Sequence, residues 1–127
     1  MSPGTGSNFK FATFEVSVAV DRNGTWVVAG RESVALLEHE RRHWMMDILV
    51  ARELHAALEA LRSPTASGLN GLATREFDWH RNTREKALSD KYDNETDHGH
   101  NTREQARWAT QVQAWYTSSR ITLVTPR

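Results

Sequence analysis

The chain has 127 residues, of which 16 are basic and 16 acidic, and it contains no cysteine. That length suits one core, since domains commonly run to about 100 to 150 residues, and we expect a single domain over 9–127 after a flexible leader at 1–8. The balanced charge argues against nucleic-acid binding, and no stretch approaches the roughly 18 apolar residues of a membrane span. Without cysteine, His, Asp and Glu are the strong ligands left for a transition metal.

The N-terminal part of the domain has the pattern of a β-hairpin. Apolar and polar residues alternate from Phe9 to Val20, and the Asn23-Gly24 pair that follows favours a tight turn. The returning strand is then predicted over Thr25–Ala29, which contains three large apolar residues in a row.

A long amphipathic helix is predicted over 33–62. Apolar residues recur there at spacings of three, four or seven, as on one side of an α-helix: Leu37, Trp44, Ile48, Ala51, Leu54, Leu58 and Leu61. Ser33 suits the N-cap position. Ser63-Pro64 marks the end of this helix, and Gly68-Leu-Asn-Gly71 is predicted to form the turn after it.

The rest of the chain is predicted to form two further helices. One spans about 72–91 and packs antiparallel to the first as a backing helix. A loop rich in turn residues follows at 92–99, and the capping-box spacing of Asn101-Thr-Arg-Glu104 opens a third helix that runs to about Tyr116. With a short closing strand at Ile121–Val124, the predicted fold class is α+β with helices dominant.

The first helix carries the motif His39-Glu40-Arg41-Arg42-His43, which matches the pattern H-E-x-x-H. Histidines one helical turn apart direct their imidazoles to one metal ion from the same face. A glutamate directly after the first histidine stands beside the open position of the ion, where its carboxylate can accept a proton from bound water. His39 and His43 are therefore candidate ligands, and Glu40 is the candidate general base.

The alternative is that the two histidines point into solvent from an exposed helix face. Leu36, Leu37 and Trp44 lie close to them in the sequence. These apolar neighbours place the histidines at the edge of the buried face, where a pair of imidazoles needs partners.

A catalytic zinc site usually has three protein ligands and a water, so a third ligand must come from elsewhere. The antiparallel second helix returns the chain to the level of the motif at about residue 92. Ligand-type side chains are dense there: Tyr92, Asp93, Asp97, His98 and His100. Asp47 lies about 12 Å along the helix axis from His39 and cannot share an ion with it, although it could support a ligand from outside.

The segments LLEHERRHW and YDNETDHGHNTREQARW resemble a family of bacterial domains of otherwise unknown function, described as predicted secreted zinc-dependent proteases. The resemblance covers about residues 14–116 and includes further matching positions: Thr25-Trp26-Val27, Ala51-Arg52, Gln105 and Trp108. Two features depart from the family pattern. Arg41-Arg42 stand where the family has small or amide residues, and Asp47 is shifted by two positions from the family's acidic residue.

The resemblance implies a zincin-like fold, in which a small sheet and a backing helix flank the long active-site helix. It also implies a zinc ion held by His39, His43 and His98, with Glu40 as the general base. A secreted or periplasmic protein is expected from the same resemblance.

Two of these roles have alternatives. His100 and Asp97 compete with His98 for the third ligand position. Tyr92 could donate its hydroxyl to the oxyanion of a tetrahedral intermediate, or it could be a half-buried aromatic residue at a helix end.

Two functions fit the sequence. The first is a zinc-dependent metallopeptidase that hydrolyses peptide bonds with metal-activated water. Its peptide or protein substrate would align by strand addition at Trp26–Val28. The second is a non-catalytic or metal-stabilised helical binding module with a vestigial motif. Neither function involves nucleic acid, and the sequence predicts no oligomeric state.

Overall fold

A computed structural model describes residues 2–3, 8–18 and 34–127, with side chains placed for 8–18 and 37–127. Within these residues the elements are mostly helical: β1 (Ser2–Pro3), β2 (Phe9–Lys10), α1 (Val34–Ala60), α2 (Ala66–Trp79), a π-helical segment (His80–Glu85), α3 (Lys86–Thr96) and α4 (Thr102–Ser118). None of the described helices is long and apolar enough to cross a membrane.

The β structure in the described residues is small. β1 pairs antiparallel with β2, and Phe9 also forms a bridge to Ser63 at the end of α1. The predicted strand is wrong for residues 11–18, which form no strand. Their apolar side chains pack on α1 instead of joining a ladder, with the Phe14 ring 4.5 Å from that of His55. The predicted turn and returning strand lie outside the described residues.

α1 ends within two residues of its predicted end, and its predicted cap at Ser33 lies outside the described residues. Thr65 then caps α2 by accepting a hydrogen bond from the Gly68 N–H at 2.9 Å. The turn predicted at 68–71 is therefore wrong, because this cap starts the helix before the glycines. Gly68 leaves room for the Ser63 hydroxyl, which would lie 2.4 Å from a Cβ at that position.

α2, the π segment and α3 form one continuous helix that packs along α1, as the backing helix was predicted to do. Its end was predicted at residue 91, but α3 continues to Thr96. Leu88, Tyr92 and Thr96 recur every four residues and are all buried, so packing keeps the chain helical through its turn-forming residues. The Thr96 hydroxyl also donates to the Tyr92 carbonyl at 2.7 Å.

The π segment places Arg84 in the core, where its side chain is 6% exposed. Its guanidinium donates to both carboxylate oxygens of Glu53 on α1, at 2.9 and 3.0 Å. It also donates to the Leu123 carbonyl and to the Thr125 hydroxyl. Arg84 therefore joins α1, the C-terminal segment and the continuous helix formed by α2, the π segment and α3, which we call the second helix.

The capping residue predicted for the last helix is confirmed, since Asn101 accepts a hydrogen bond from the Glu104 N–H at 3.1 Å. The Glu104 carboxylate pairs with Arg107. The strand predicted at 121–124 is wrong, because that segment has no strand pairing and contributes the buried side chain of Ile121 to the core.

The core lies where α1, α3 and α4 meet. Its buried residues are Met45, Met46, Leu49, Val50, Leu88, Tyr92, Trp108, Val112, Trp115 and Ile121. The described residues thus form a mostly helical fold with a small β element, and α1 lies side by side with the predicted backing helix.

Candidate metal centre

A row of polar residues runs along the contact between α1 and the second helix. His39 faces Asp93, His43 faces Ser89, and Asp47 contacts Glu85. Each step of four residues along α1 is matched by a step of four back along the facing helix, as antiparallel helices require. We call these six residues the polar seam.

Three ligand-type side chains converge at one end of the polar seam. The Nε2 atoms of His39 and His43 lie 2.9 and 2.6 Å from the same carboxylate oxygen, Oδ1 of Asp93. All three ligand atoms lie within 4.8 Å of one another, close enough to hold one metal ion. The second helix therefore returns the chain to the level of the motif at residues 92–93, as predicted from the helix lengths.

Both histidines are hydrogen-bonded through their other ring nitrogen. His39 Nδ1 lies 2.8 Å from Oε1 of Gln105 on α4, and His43 Nδ1 lies 3.1 Å from the Ser89 hydroxyl. Metal-binding histidines usually have such a partner, which orients the ring and directs the free nitrogen to the ion. His39 is 2% exposed, so this end of the seam is well sealed on one side.

The donor set fits a divalent transition metal. Two imidazole nitrogens and one carboxylate oxygen make a three-ligand set with room for water, as in catalytic zinc sites, and the same set also suits Fe²⁺. Zinc bonds of about 2.0 to 2.2 Å in tetrahedral geometry separate ligand atoms by about 3.3 Å. The three side chains would need to open by several tenths of an ångström to accommodate zinc.

Glu40, the predicted general base, follows His39 on α1 and is half-buried. Its carboxylate lies near the site, since it is among the charges that raise the pKa of Tyr92 after the larger effect of burial. Among the described residues, no hydrogen bond or ion pair engages it. The carboxylate is therefore within electrostatic reach of Tyr92 and is not committed to a described partner.

Tyr92 was predicted to donate to an oxyanion, but its hydroxyl is fully buried and donates to the His39 carbonyl oxygen at 3.0 Å. The same hydroxyl accepts from Nε2 of Gln105 at 2.6 Å. Burial raises the pKa of Tyr92 to about 12, so the hydroxyl keeps its proton at neutral pH. The Tyr92 hydroxyl therefore has no proton left to donate to an oxyanion. Tyr92 is instead a buried aromatic residue that holds His39 in position.

His98, the predicted third ligand, is exposed and does not belong to the cluster of ligand atoms. His100 and Asp97, its competitors, are exposed as well. The reason is the position of the helix end. Because α3 continues to Thr96, Asp93 reaches the motif on the helix, and His98 falls in the left-handed turn beyond it.

That turn contributes to the site through Gly99. Its φ angle of 92° lies in the left-handed region, and a Cβ there would lie 3.1 Å from Cγ of His39. A glycine is needed at this point so that the backbone can lie against the imidazole.

The opposite end of the polar seam has a different chemistry. Burial, together with a hydrogen bond to and the charge of Glu85, raises the pKa of Asp47 to about 7. The carboxyl group of Asp47 therefore keeps its proton up to about pH 7. Asp47 does not join the metal-ligand cluster, in agreement with its predicted distance from His39.

Ser89, His43 and Asp93 are also aligned as in a serine hydrolase, with the imidazole between a hydroxyl and a carboxylate. That chemistry needs free N–H donors for the oxyanion beside the nucleophile. Ser89 lies inside α3, where the backbone N–H groups are committed to helical hydrogen bonds. The alignment therefore does not make a serine hydrolase site.

Comparison with family models, with curated proteins and with solved structures finds no match. The family resemblance in the motif segments remains a prediction. The functional argument rests on the geometry of His39, His43 and Asp93.

Two residues of this site were not predicted as functional from the sequence. Gln105 matches the family pattern, but the resemblance assigned no function to it. Ser89 offered no signal, because it becomes relevant only once the helix register places it opposite His43.

Proposed function

We propose that the chain is a zinc-dependent hydrolase that cleaves peptide bonds, with the ion held by His39, His43 and Asp93. The observation that supports the proposal is the convergence of two imidazole Nε2 atoms on one carboxylate oxygen. Asp93 takes the place that the sequence had suggested for His98.

His39, His43 and Asp93 would hold the zinc ion, which would supply a bound water of lowered pKa and a Lewis acid for the substrate carbonyl. Glu40, which follows His39 on α1, would accept the proton from the attacking water. Gln105 and Ser89 keep the rings of His39 and His43 in place.

The accessibility of the ligands supports a catalytic site over a purely structural one. The side chains of His43 and Asp93 are 18% and 26% exposed, whereas that of His39 is 3% exposed. One side of the ligand set therefore faces solvent, and three protein ligands leave a coordination position for water. A structural zinc site would normally fill all four positions with protein ligands.

Metal content is the first test, on protein purified without a His-tag or a nickel column. We expect about one equivalent of zinc in the wild-type chain, and loss of most of it in Asp93→Ala. His98→Ala is the matched comparison and should keep the metal, because His98 lies outside the ligand cluster. The ligand assignment is wrong if His98→Ala loses zinc while Asp93→Ala retains it.

Hydrolysis is the second test, with a mixed peptide library as substrate. Glu40→Gln should retain zinc and lower cleavage by about 10²- to 10⁴-fold, the usual contribution of a general base. Glu59→Gln, an exposed residue on the same helix, should have no effect. A zinc-loaded wild-type protein that cleaves no peptide would instead support the metal-stabilised binding module.

A further inference from the structure

We infer that Tyr92 and Gln105 form a hydrogen-bond relay that fixes His39 as the tautomer protonated on Nδ1, which leaves the Nε2 lone pair facing the metal position. The inference deepens the proposed function, and its consequence for zinc binding rests on that function. The tautomer itself can be tested in metal-free protein.

The relay begins at the carbonyl oxygen of His39, which can only accept hydrogen bonds. The Tyr92 hydroxyl lies 3.0 Å from it and must therefore be the donor in this contact. Since a phenolic hydroxyl has one proton, the Tyr92 oxygen is left as an acceptor for any other partner.

That remaining capacity orients the amide of Gln105. Its Nε2 lies 2.6 Å from the Tyr92 oxygen and donates to it. The opposite orientation of the amide would place Oε1 against an oxygen that has already given its proton away, so two acceptors would face each other. The amide oxygen is therefore the atom directed at His39.

The last step sets the protonation of the imidazole. Gln105 Oε1 is an acceptor and lies 2.8 Å from His39 Nδ1, so Nδ1 must carry a proton. A neutral imidazole has one N–H group, and Nε2 is therefore left with a lone pair, 2.9 Å from the Asp93 carboxylate. Two acceptors at that distance repel each other, so this tautomer favours a cation between them.

Without the relay, the same residues would satisfy one another. Neutral His39 could carry its proton on Nε2 and donate to Asp93, and the resulting hydrogen bond would close the metal position. The relay excludes that state because it would leave Oε1 of Gln105 facing an unprotonated Nδ1. It thus holds the site in the form that can bind a metal ion.

Burial makes the relay effective. Tyr92 has no exposed surface and its ring stacks on His39 with the centroids 4.4 Å apart, while Gly99 lies against the same imidazole. Water therefore has little access to replace any of these contacts. His43 differs, because the Ser89 hydroxyl can either donate or accept and imposes no tautomer on it.

The direct test is nitrogen-15 NMR of the ring nitrogens in metal-free protein, at a pH where the imidazole is neutral. In the wild-type chain we expect Nδ1 of His39 to be protonated and Nε2 to be unprotonated. Tyr92→Phe and Gln105→Leu should both shift His39 toward the tautomer protonated on Nε2. Gln113→Leu is the control, because Gln113 is exposed and lies on α4 like Gln105.

The inference fails if wild-type His39 carries its proton on Nε2, or if the tautomer is unchanged in Gln105→Leu. If Tyr92→Phe folds poorly, Gln105→Leu decides the outcome. Gln105 is partly exposed, so its substitution disturbs the core less than that of Tyr92.

Zinc affinity supplies the second readout. Gln105→Leu should weaken zinc binding by about 10- to 100-fold, the usual effect of removing such a partner. Gln105→Glu should restore it only in part, because the carboxylate accepts from Nδ1 but places a second acceptor against the Tyr92 oxygen. If wild-type protein has the expected tautomer but binds no zinc, the proposed function fails and the relay stands. If zinc binds while the tautomer is the opposite one, the relay is wrong.

Discussion

The two ends of the polar seam have the same helical register but different chemistry. At one end, His39, His43 and Asp93 direct two nitrogens and one oxygen to a common point. At the other end, Asp47 and Glu85 bring two carboxyl groups together. The first end offers a position for a metal cation, and at the second Asp47 keeps a proton up to about pH 7. Residue type, and not helix geometry, therefore decides which part of the contact can bind a metal.

Arg84 directly precedes Glu85 in the chain, and its charge needs neither a metal ion nor a proton from outside. It is paired with Glu53 and with the C-terminal segment, so its charge is satisfied within the chain. Arg84→Ala should lower the free energy of unfolding by about 3 to 5 kcal/mol, because it leaves Glu53 without its partner in a partly buried position. Urea unfolding measures this, with exposed Arg81→Ala as control. A loss similar to that of the control would contradict the structural role of the Arg84–Glu53 pair.

Zinc should affect only the histidine end. A ligand that binds the folded state stabilises it by about 2.7 kcal/mol when its concentration is one hundred times the dissociation constant. Thermal unfolding should therefore shift upward with zinc in the wild-type chain and in Asp47→Asn, but not in Asp93→Ala. An equal loss of the shift in Asp47→Asn would mean that the two ends are not independent.

Gly99 provides a subtler way to disturb the histidine end. Gly99→Ala should cost about 1 to 3 kcal/mol because of its positive φ angle, and it should weaken zinc binding because the new Cβ displaces His39. Gly71→Ala is the matched control, since a Cβ there meets nothing within 4 Å in a helix. That substitution should instead stabilise the chain by about 0.5 to 1 kcal/mol. Unchanged zinc binding in Gly99→Ala would contradict the role of the close approach.

The carboxyl end should be visible as a dependence of stability on pH. The pKa of Asp47 rises from 3.8 to about 7 on folding, so the folded state binds the proton more tightly. The stabilisation is complete below about pH 4 and is lost as the pH rises toward 7. Asp47→Asn should remove this slope and raise stability at pH 8 by on the order of 1 kcal/mol, after allowance for solvent exposure. Exposed Asp78→Asn should leave the slope unchanged, and a retained slope in Asp47→Asn would refute the assignment.

The sequence predicted the extent of α1 well, because its apolar spacing and its Ser63-Pro64 stop are local signals. It also placed residue 92 at the level of the motif, since that step needs only helix lengths. Asp93 was not predicted as the third member of the ligand cluster, because the composition of 92–96 favours a turn. The burial of Leu88, Tyr92 and Thr96 overrides that local preference, and burial depends on the tertiary structure.

Contacts between distant residues could not be predicted from one sequence. Gln105 and His39 are 66 positions apart, and Ser89 and His43 are 46 apart. The alternating pattern at 11–18 was misleading for a related reason. Alternation indicates that one face is buried, and packing against a helix satisfies it as well as pairing in a sheet does.

Zinc-edge X-ray absorption of the zinc-loaded wild-type protein tests the central claim most directly. We expect about four nitrogen or oxygen atoms near 2.0 to 2.2 Å, with the scattering of two imidazoles, a carboxylate and a water. In Asp93→Ala that spectrum should be lost, and in His98→Ala it should be unchanged. Scattering from three imidazoles in the wild-type chain would contradict the ligand set of His39, His43 and Asp93.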